Sequence, residues 1–332
     1  MTKKISLTGI KPTGIPHFGN YIGAIRPALK MLENSSTEGI YFIADYHSLT
    51  TMHDGKTLRE NSYEVAASWL ACGLDPEKTT IYLQSQVPEV MEFNWIMACF
   101  TSKGLMNRAH AYKALVQRNE EAGRDQDQGI NMGIYTYPIL MACDILIHKS
   151  DYVPVGEDQL QHIEMARDMA NVFNHTYKKE AFKLPEGIAQ KGVLLPGLDG
   201  RKMSKSYNNH IPLFLPEKKL RKMVMKIQTD SQPPETPKNP DDSLIFDLYK
   251  YFTTEQQQQE LADWYRRGIG WGEAKQQLFE AMNAEIAPAR ERYNELMADK
   301  AQIDKALQMG AEKVRPQIQE YLREIKELIG VG

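Results

Sequence analysis

The chain has 332 residues, of which 42% are hydrophobic and 25% are charged, and its formal net charge is −3. This composition is typical of a folded globular protein, argues against a disordered or strongly basic chain, and at this length allows a large core plus a second, smaller domain. The three cysteines are far apart and form no C-x-x-C pair, which argues against a disulfide framework and a cysteine-based metal site.

Short β-rich segments alternate with longer helical patterns in the first half of the chain. Strands are predicted at Ile5–Thr8, Ile40–Ala44, Thr80–Leu83 and Tyr152–Val155. Helices are predicted at Thr57–Cys72 and at about Asp158–Phe173. Such alternation is typical of parallel strands joined by helical crossovers, so we predict an α/β fold with a doubly wound parallel sheet, of the Rossmann-like nucleotide-binding kind.

The rest of the chain is predicted to be helical. A helical insert, residues 88–149, separates the third and fourth strands and contains a polar loop at Asn119–Gln128. After about Ser206 the β-rich segments cease, and Gln232–Pro240 is expected to be a surface excursion. We therefore place a domain boundary between residues 208 and 209. Helices of the second domain are predicted at Glu217–Ile227, Ser243–Phe252, Gly272–Tyr293 and Ala311–Ile329. Pro27 should bend or restart the helix after Asn20, because it lacks a backbone donor.

A glycine-containing loop, residues 9–20, directly follows the first strand and opens a helix. Gly14 and Gly19 permit close approach of the backbone, and the helix amino terminus offers free N–H groups to an anion. His17 and Asn20 add donors on the same turn. The loop fits neither the G-x-x-x-x-G-K-[ST] phosphate loop nor the G-x-G-x-x-G dinucleotide pattern, and alone it is equally typical of a structural turn.

A second loop, Lys202-Met203-Ser204-Lys205-Ser206, lies far downstream and is preceded by Gly197 and Gly200. Two ammonium groups and two hydroxyls at this spacing could hold a triphosphate and move as it reacts. Alone, the loop is equally typical of a solvated basic surface segment. Its occurrence together with the glycine-containing loop is much more specific than either loop alone.

Together the two loops resemble the signature motifs of class I aminoacyl-tRNA synthetases, here His17-Phe18-Gly19-Asn20 and Lys202 to Ser206. The resemblance covers essentially the whole chain. Further blocks resemble the tryptophan-specific branch of this class: Gly19–Ala24, Asp45–His47, Tyr137–Pro138, Met141–Leu146 and Val153–Gln159. This resemblance implies an enzyme that uses ATP to convert L-tryptophan to tryptophanyl-adenylate and then transfers the acyl group to tRNA(Trp).

This resemblance also implies the domain roles and partners. Residues 1–208 would form the catalytic nucleotide-binding domain and residues 209–332 an anticodon-binding domain. Mg²⁺ would accompany ATP, held mainly by the phosphates. A homodimer is expected. The only late basic cluster lies on one predicted helix of the second domain, and it is equally typical of a solvated face: Lys218, Lys219, Arg221, Lys222 and Lys226.

We expect a cytoplasmic enzyme that is not a membrane protein. Residues 1–9 lack the apolar segment of a signal peptide. The most apolar stretch, Tyr137–Ile147, is too short for a bilayer and contains Asp144.

The resemblance implies catalysis by positioning and electrostatic stabilisation, because the substrate carboxylate is itself the nucleophile. No metal site built from protein ligands is expected. The predicted catalytic residues are His17, Asn20, Lys202 and Lys205. The predicted ATP-binding residues are Lys11, Pro12, Thr13, Gly19, Asn20, Gly156, Glu157, Asp158, Leu194, Leu195, Lys202, Met203, Ser204, Lys205 and Ser206.

Asp144 is the predicted specificity residue. A carboxylate within an apolar helical segment is costly to bury without a donor, and the indole N–H of tryptophan is only a donor. The alternative is a buried ion pair with a nearby Lys or Arg. The predicted tryptophan-binding residues are Asp144, Tyr137, Met141, Gln159 and His47.

The sequence departs from the usual pattern at Lys11, where many relatives carry Gln. Two alternatives to the predicted function stay open. One is a tyrosine-specific enzyme of the same architecture. The other is a protein that binds tryptophan or nucleotide and no longer aminoacylates, in which damage to His17, Lys202 or Lys205 would be expected; all three are intact.

Overall fold

The computed structural model describes residues 3–32, 37–189 and 193–332, and a parallel sheet lies at its centre. The strands are β1 (Lys4–Ile10), β2 (Thr37–Ile43), β3 (Thr80–Leu83), β4 (Tyr152–Val155) and β5 (Glu186–Ala189). They lie in the order β3-β2-β1-β4-β5, and every pairing is parallel. The chain therefore winds outwards from β1 in both directions, and the predicted doubly wound sheet is confirmed.

The sequence analysis missed β5. Its four residues, Glu-Gly-Ile-Ala, are partly exposed and form neither an apolar run nor a regular alternation. The segment is a strand because it pairs with β4 over its whole length, from Tyr152 with Glu186 to Val155 with Ala189. Because β5 is an edge strand of the sheet, it is less buried than the central strands and does not need a continuous apolar run.

The helices cover both faces of the sheet. None in the described ranges is both long and apolar enough to cross a bilayer. A π-helical turn spans Tyr21–Ile25, and 3₁₀ turns span Gln84–Gln86, Glu157–Gln159 and Pro240–Asp242. The α-helices are α1 (Phe18–Asn20), α2 (Arg26–Leu32), α3 (Asp45–Ser48), α4 (Gly55–Ala71), α5 (Glu89–Phe100), α6 (Lys103–Met106), α7 (His110–Glu121), α8 (Met132–Ile147), α9 (Leu160–Tyr177), α10 (Glu217–Val224), α11 (Leu244–Tyr249), α12 (Glu255–Arg267), α13 (Trp271–Ala298) and α14 (Ala301–Ile329).

All six helices with predicted bounds are present, as α4, α9, α10, α11, α13 and α14. The sequence analysis missed α12, and it placed the start of α14 ten residues late. Pro27 is the second residue of α2, directly after the π-helical turn. The helix therefore restarts next to this proline, as predicted, and a wider turn precedes the missing donor.

Two predicted surface segments are ordered by single buried side chains. Asn119, on α7, donates to the carbonyl oxygens of Gln126 and Gln128 at 3.0 and 2.9 Å, which closes the polar loop. Lys238 is 5% exposed and donates to carbonyl oxygens of Pro233 and Thr236 in the proline-rich excursion. Both segments are therefore folded back on their own backbone.

The hydrophobic core has two parts, one on each face of the sheet. Alternate residues of β2 lie in different parts of the core. Tyr41 and Ile43 lie in one part, and Ile40 and Phe42 lie in the other. This alternation follows from the two-residue repeat of a strand. Both faces of the sheet are therefore buried, as a parallel sheet requires.

Helix α14 covers the edge strand β3. Leu307 packs in one part of the core and Ala311 in the other, and Gly310 lies between them, at the strand. A Cβ atom on Gly310 would lie 1.9 Å from the carbonyl oxygen of Ile81. Residues after 209 therefore pack against the sheet and cover its edge. The domain boundary at residue 208 stays a prediction.

Candidate active site

A cavity of about 610 Å³ lies along β1 and reaches the carboxyl ends of β1, β2 and β4, at Lys11, Ala44 and Gly156. The strand order reverses between β1 and β4, which is where doubly wound sheets bind ligands. Seven of the predicted site residues line this cavity: Lys11, His47, Tyr137, Met141, Asp144, Gly156 and Gln159.

Asp144, on α8, is fully buried at the cavity wall. Its Oδ2 lies 2.9 Å from Nε2 of His47, and the side-chain amide of Gln84 donates to both carboxylate oxygens, at 2.8 and 2.9 Å. Burial raises the pKa of Asp144, and the contacts with His47 and Gln84 partly oppose that rise. The site thus holds a desolvated acceptor whose position is fixed by two neighbours.

The hydrogen-bond partners of Asp144 test the alternative that it forms a buried ion pair with a Lys or Arg. His47 is the one basic side chain of the described residues that pairs with this carboxylate, so a pair with Lys or Arg is not formed there. Each carboxylate oxygen has two lone pairs, so the carboxylate retains acceptor capacity beyond these contacts. Asp144 is therefore able to accept a further hydrogen bond from a ligand in the cavity.

Aromatic and amide groups surround this carboxylate. The rings of Tyr137 and His47 meet edge to face, with centroids 6.4 Å apart. The Tyr137 hydroxyl lies 2.8 Å from Nε2 of His162. Gln159, in the 3₁₀ turn after β4, donates to Asp158 at 2.8 Å. The cavity therefore combines apolar ring faces with a small set of polar atoms, which is typical of a small-molecule site.

The glycine-containing loop joins β1 to α1. Gly14 has a φ of +82°, in the left-handed region that glycine tolerates. His17 is the N-cap residue of α1: its Nδ1 accepts from the Asn20 N–H at 3.2 Å, and Oδ1 of Asn20 accepts from the His17 N–H at 3.0 Å. Because Nδ1 is an acceptor here, the neutral ring carries its hydrogen on Nε2.

The structure brings the two signature loops into contact. Nζ of Lys205 donates to the carbonyl oxygen of Thr13 at 2.7 Å. The Gly19 N–H donates to Sδ of Met203 at 3.3 Å, and Met203 is 3% exposed. Lys205 thus reaches the backbone of the glycine-containing loop, and its role in holding phosphates stays a prediction.

Asn209 holds the second loop in shape. Its Oδ1 accepts from the Ser204 N–H at 2.9 Å, and its Nδ2 donates to Oδ1 of Asp199 at 2.7 Å and to the Lys202 carbonyl oxygen at 3.1 Å. Asn209 is 3% exposed. A short segment between Asp199 and Ser204 is therefore tied together by one buried amide.

Burial and positive neighbours disfavour protonation of His17. Burial is the largest effect, followed by the charges of His210, Lys205 and Lys202, and together they lower the pKa of His17 to about 4. Burial also lowers the pKa of Lys205, and Glu64 opposes that effect. In the absence of an anion His17 is therefore a neutral donor at neutral pH.

The other predicted ATP-binding residues lie in different surroundings. Glu157 and Asp158 are exposed after β4, beside Gly156. Leu194 is 63% exposed, whereas Leu195 is 2% exposed and belongs to the core. Only Leu194 of this pair is accessible to a ligand in this structure.

Comparison with known proteins identifies the family of this chain. Residues 2–287 match the family described as tRNA synthetases class I (W and Y). The chain belongs to this family. The synthetase is 53% identical over 333 residues to the tryptophan–tRNA ligase of Neisseria meningitidis. This alignment covers 100% of this chain and 99% of the relative. It is 48% identical over 334 residues to that of Pseudomonas aeruginosa, covering 100% of this chain and 74% of the relative.

A solved structure supports the same assignment of the synthetase. The tryptophanyl-tRNA synthetase of Campylobacter jejuni, complexed with ADP and tryptophan, has a TM-score of 0.91 and 42% sequence identity. The alignment covers 98% of this chain and 100% of the other. The fold class and the family expected from the motifs are both confirmed.

The sequence analysis did not name three side chains that contact or lie beside predicted site residues of this synthetase: Gln84, Asn209 and His210. Gln84 had a usable signal, because polar residues that directly follow a parallel strand lie at the ligand-binding edge of the sheet. Asn209 and His210 follow the second signature loop closely but belong to no pattern used there. Their contacts depend on how that loop folds back.

Proposed function

We propose that this synthetase is a tryptophan–tRNA ligase, which activates L-tryptophan with ATP and transfers it to tRNA(Trp). The observation that carries the proposal is the Asp144 carboxylate, fully buried at the wall of a cavity lined by aromatic and apolar groups. An indole N–H is a donor that meets such an acceptor, and the indole ring fills apolar space. The high identity to curated tryptophan–tRNA ligases over the whole chain supports the same function.

Tryptophan binding is assigned to the cavity around Asp144. Its carboxylate accepts from the indole N–H, while His47 orients the carboxylate from the other side. Met141, one turn earlier on α8, packs against the indole. Tyr137 and Gln159 reach the substrate α-ammonium group from α8 and the turn after β4. This set rejects side chains that leave Asp144 unpaired.

Activation needs no protein nucleophile. An oxygen of the tryptophan carboxylate attacks the α-phosphorus of ATP, the bond from that phosphorus to the bridging oxygen breaks, and pyrophosphate leaves. A terminal ribose hydroxyl of tRNA then attacks the adenylate carbonyl and AMP leaves. His17 and Asn20 donate to the reacting phosphate, and Lys202 and Lys205 stabilise charge on the departing pyrophosphate.

Binding of ATP is assigned to the two signature loops and the turn after β4. Backbone N–H groups and small side chains let the phosphates approach closely. The residues are Lys11, Pro12, Thr13, Gly19, Asn20, Gly156, Glu157, Asp158, Leu194, Leu195, Lys202, Met203, Ser204, Lys205 and Ser206, of which Leu195 is buried in the core.

Mg²⁺ is proposed to enter with ATP. The described part of the chain contains no group of three or more His, Cys, Asp or Glu side chains placed to hold a metal ion. The ammonium groups of Lys202 and Lys205, which act on His17, disfavour a cation bound to the protein alone. We expect the phosphate oxygens of ATP to be the main ligands of Mg²⁺.

The helical region after residue 209 is proposed to bind the tRNA anticodon. Its basic residues on and after α10, among them Lys218, Lys219 and Lys222, are exposed. Removing the whole region would uncover β3, so charge reversal of these three lysines is the sharper test. We expect a higher KM for tRNA and unchanged tryptophan-dependent pyrophosphate exchange. Unchanged aminoacylation kinetics would contradict the assignment.

A homodimer is also proposed. Trp95 on α5 and Met132 at the start of α8 are large apolar side chains exposed by 73% and 69%, and both belong to the insert of residues 88–149. Aromatic and methionine side chains are enriched at protein interfaces relative to the rest of the surface. Sedimentation of the wild type should give twice the chain mass, and Trp95→Lys should shift it towards the monomer.

The decisive experiment for the function is ATP–pyrophosphate exchange with each amino acid in turn, followed by charging of tRNA. Tryptophan should support exchange far better than tyrosine or phenylalanine. Preference for tyrosine would establish the tyrosine-specific alternative. Tryptophan-dependent exchange without any charging of tRNA would establish a protein that activates tryptophan but no longer aminoacylates.

A further inference from the structure

His210 lies beside His17 because the backbone around both is paired. The Phe18 N–H donates to the carbonyl oxygen of Ile211 at 3.0 Å, and the Leu213 N–H donates to that of Pro16 at 2.9 Å. The two imidazole rings are 5.9 Å apart between centroids, at an angle of 55°. A second imidazole is thus placed at the phosphate-binding end of the site by the fold itself.

The charges around His210 favour a polyanion. Lys205 acts on both imidazoles, and Lys202 acts on His17. Burial, and then Lys205, lower the pKa of His210 in the free protein. The carboxylate that acts on Lys205 is Glu64, and one of its oxygens already accepts from the Ile15 N–H. Two imidazoles and two ammonium groups therefore converge with only partial neutralisation.

The two histidines differ in their freedom to gain a proton. Protonation of His17 at Nδ1 would break its bond from the Asn20 N–H, which caps α1. No comparable contact restrains His210, since its Nδ1 is buried and has no hydrogen-bond partner among the described residues. His210 can therefore take up a proton without losing an existing hydrogen bond when an anion offsets the nearby lysines.

We propose that His210 is a further phosphate-binding residue of this site, which donates to the polyphosphate of ATP or to released pyrophosphate and gains a proton as the anion binds. The assignment rests on the proposed ATP-dependent function. It adds to that function a second imidazole and a dependence of anion affinity on pH. Affinity for pyrophosphate should rise as the pH falls through the region in which the bound-state imidazole is protonated.

The test is calorimetry of inorganic pyrophosphate binding at fixed Mg²⁺, at a pH of about 6.5, where an ordinary imidazole titrates, and in two buffers of different ionisation enthalpy. The proteins are wild type, His210→Ala, His210→Gln and, as a matched control, His175→Gln on the exposed face of α9. The proton released or taken up by pyrophosphate itself is common to all four. The difference in proton uptake between wild type and the His210 variants therefore measures the protonation of His210.

We expect His210→Ala to raise the Kd for pyrophosphate about tenfold, as for one lost charge-assisted hydrogen bond. His210→Gln keeps a neutral donor and should lose less affinity. Both variants should lose the extra proton uptake shown by wild type and by His175→Gln. Tryptophan affinity should be unchanged in all four.

Two results would overturn the role of His210. One is equal proton uptake and equal Kd in wild type and both His210 variants. The other is a parallel loss of tryptophan and pyrophosphate affinity in His210→Gln, which would indicate a structural residue. Failure of the wild type to bind pyrophosphate or to catalyse exchange would instead contradict the proposed function itself, without reference to any variant.

Discussion

At the scale of single residues, we propose that Asp144 sets the amino-acid specificity of the cavity. Its carboxylate is fully buried, and His47 and Gln84 are the side chains that hydrogen-bond to it. A buried acceptor of this kind costs free energy whenever a bound ligand leaves it less well paired. On this proposal, an amino acid is rejected when its side chain has no donor for Asp144.

Replacing the Asp144 carboxylate should lower the selectivity for tryptophan over phenylalanine in two ways. Asp144→Ala removes the bond to the indole N–H and the penalty against phenylalanine. The lost hydrogen bond to a charged group corresponds to about 1.5–3 kcal/mol, so the tryptophan-to-phenylalanine ratio of kcat/KM should fall about tenfold to hundredfold. Pyrophosphate exchange with both amino acids measures this ratio.

A matched control is Asp45→Asn, which changes a carboxylate that does not line the cavity. Its ratio should remain that of wild type. A folded Asp144→Ala protein with an unchanged ratio would make Asp144 a structural carboxylate and would remove the main support for tryptophan.

A second buried carboxylate, Asp151, stabilises the fold. It accepts from Lys4 at 2.9 Å, from the Ile5 N–H at 2.9 Å and from Lys183. Burial alone would raise the pKa of Asp151, but these hydrogen bonds outweigh it and lower the pKa to about 2. The group is thus ionised in the folded protein at pH values where the unfolded chain is protonated.

Linkage gives the sign of the pH dependence. The stabilisation by Asp151 is fully present above the ordinary carboxyl pKa of 3.8 and is lost as the pH falls through about 2. Asp151→Asn should therefore lower the free energy of unfolding at neutral pH by about 1–3 kcal/mol. Its stability should also decline less steeply than that of wild type below a pH of about 4. Urea unfolding at several pH values tests both statements, and parallel pH profiles would contradict them.

At the scale of elements, the second signature loop depends on Asn209. In the proposed function the loop presents Lys202 and Lys205 to the phosphates, and in the structure it contacts Thr13. Asn209 ties it to Asp199 and to the backbone at Lys202 and Ser204. We therefore predict that Asn209 is a positioning residue, which acts on the reaction through the two lysines.

Asn209→Asp keeps the size of the side chain but replaces donors by acceptors that face Asp199. Loss of one or two such bonds, at about 1 kcal/mol each, should slow adenylate formation about fivefold to thirtyfold. Tryptophan affinity should stay near that of wild type, because the cavity around Asp144 is untouched. Single-turnover adenylate formation and tryptophan titration provide the two measurements.

The reciprocal variant Asp199→Asn supplies the control for this pair. Combined with Asn209→Asp it restores the contact with donor and acceptor exchanged, so the double variant should recover part of the lost rate. Additive losses in the double variant would show that the contact between the two side chains does not position the loop.

At the scale of the whole molecule, α14 closes the edge of the sheet. The carboxyl-terminal helix crosses β3 at Gly310, where a side chain has no space, and joins the two parts of the core. Edge strands expose unpaired backbone groups, and covering them prevents pairing with other chains. The late helices therefore protect the sheet on which the site is built.

Gly310→Ala should destabilise the whole protein. The added Cβ would lie 1.9 Å from the Ile81 carbonyl oxygen, so α14 or β3 must shift. We expect a loss of about 1–3 kcal/mol in the free energy of unfolding, as for an overpacked core, with a lower Tm. Gly272→Ala on α13 meets nothing within 4 Å and should be neutral or slightly stabilising. Equal Tm values for Gly310→Ala and wild type would show that the crossing tolerates a side chain.

Local sequence patterns were sufficient to predict the fold class and the family of this protein. The order of strands and helices predicted a doubly wound parallel sheet, because parallel strands require crossovers and crossovers have a fixed hand. The glycine-containing loop and the Lys202 to Ser206 loop pointed to the family, since each motif sits in a short continuous segment. Asp144 stood out from sequence alone because a carboxylate in an apolar helix demands a partner.

Only the tertiary structure decided which distant groups meet. Gln84 reaches Asp144 across 60 positions of the chain, and Lys205 reaches Thr13 across 192. The short strand β5 exists through its pairing with β4, and Gly310 is required by the approach of α14 to Ile81. These contacts depend on the packing of segments far apart along the chain, and no local periodicity or spacing carries that information.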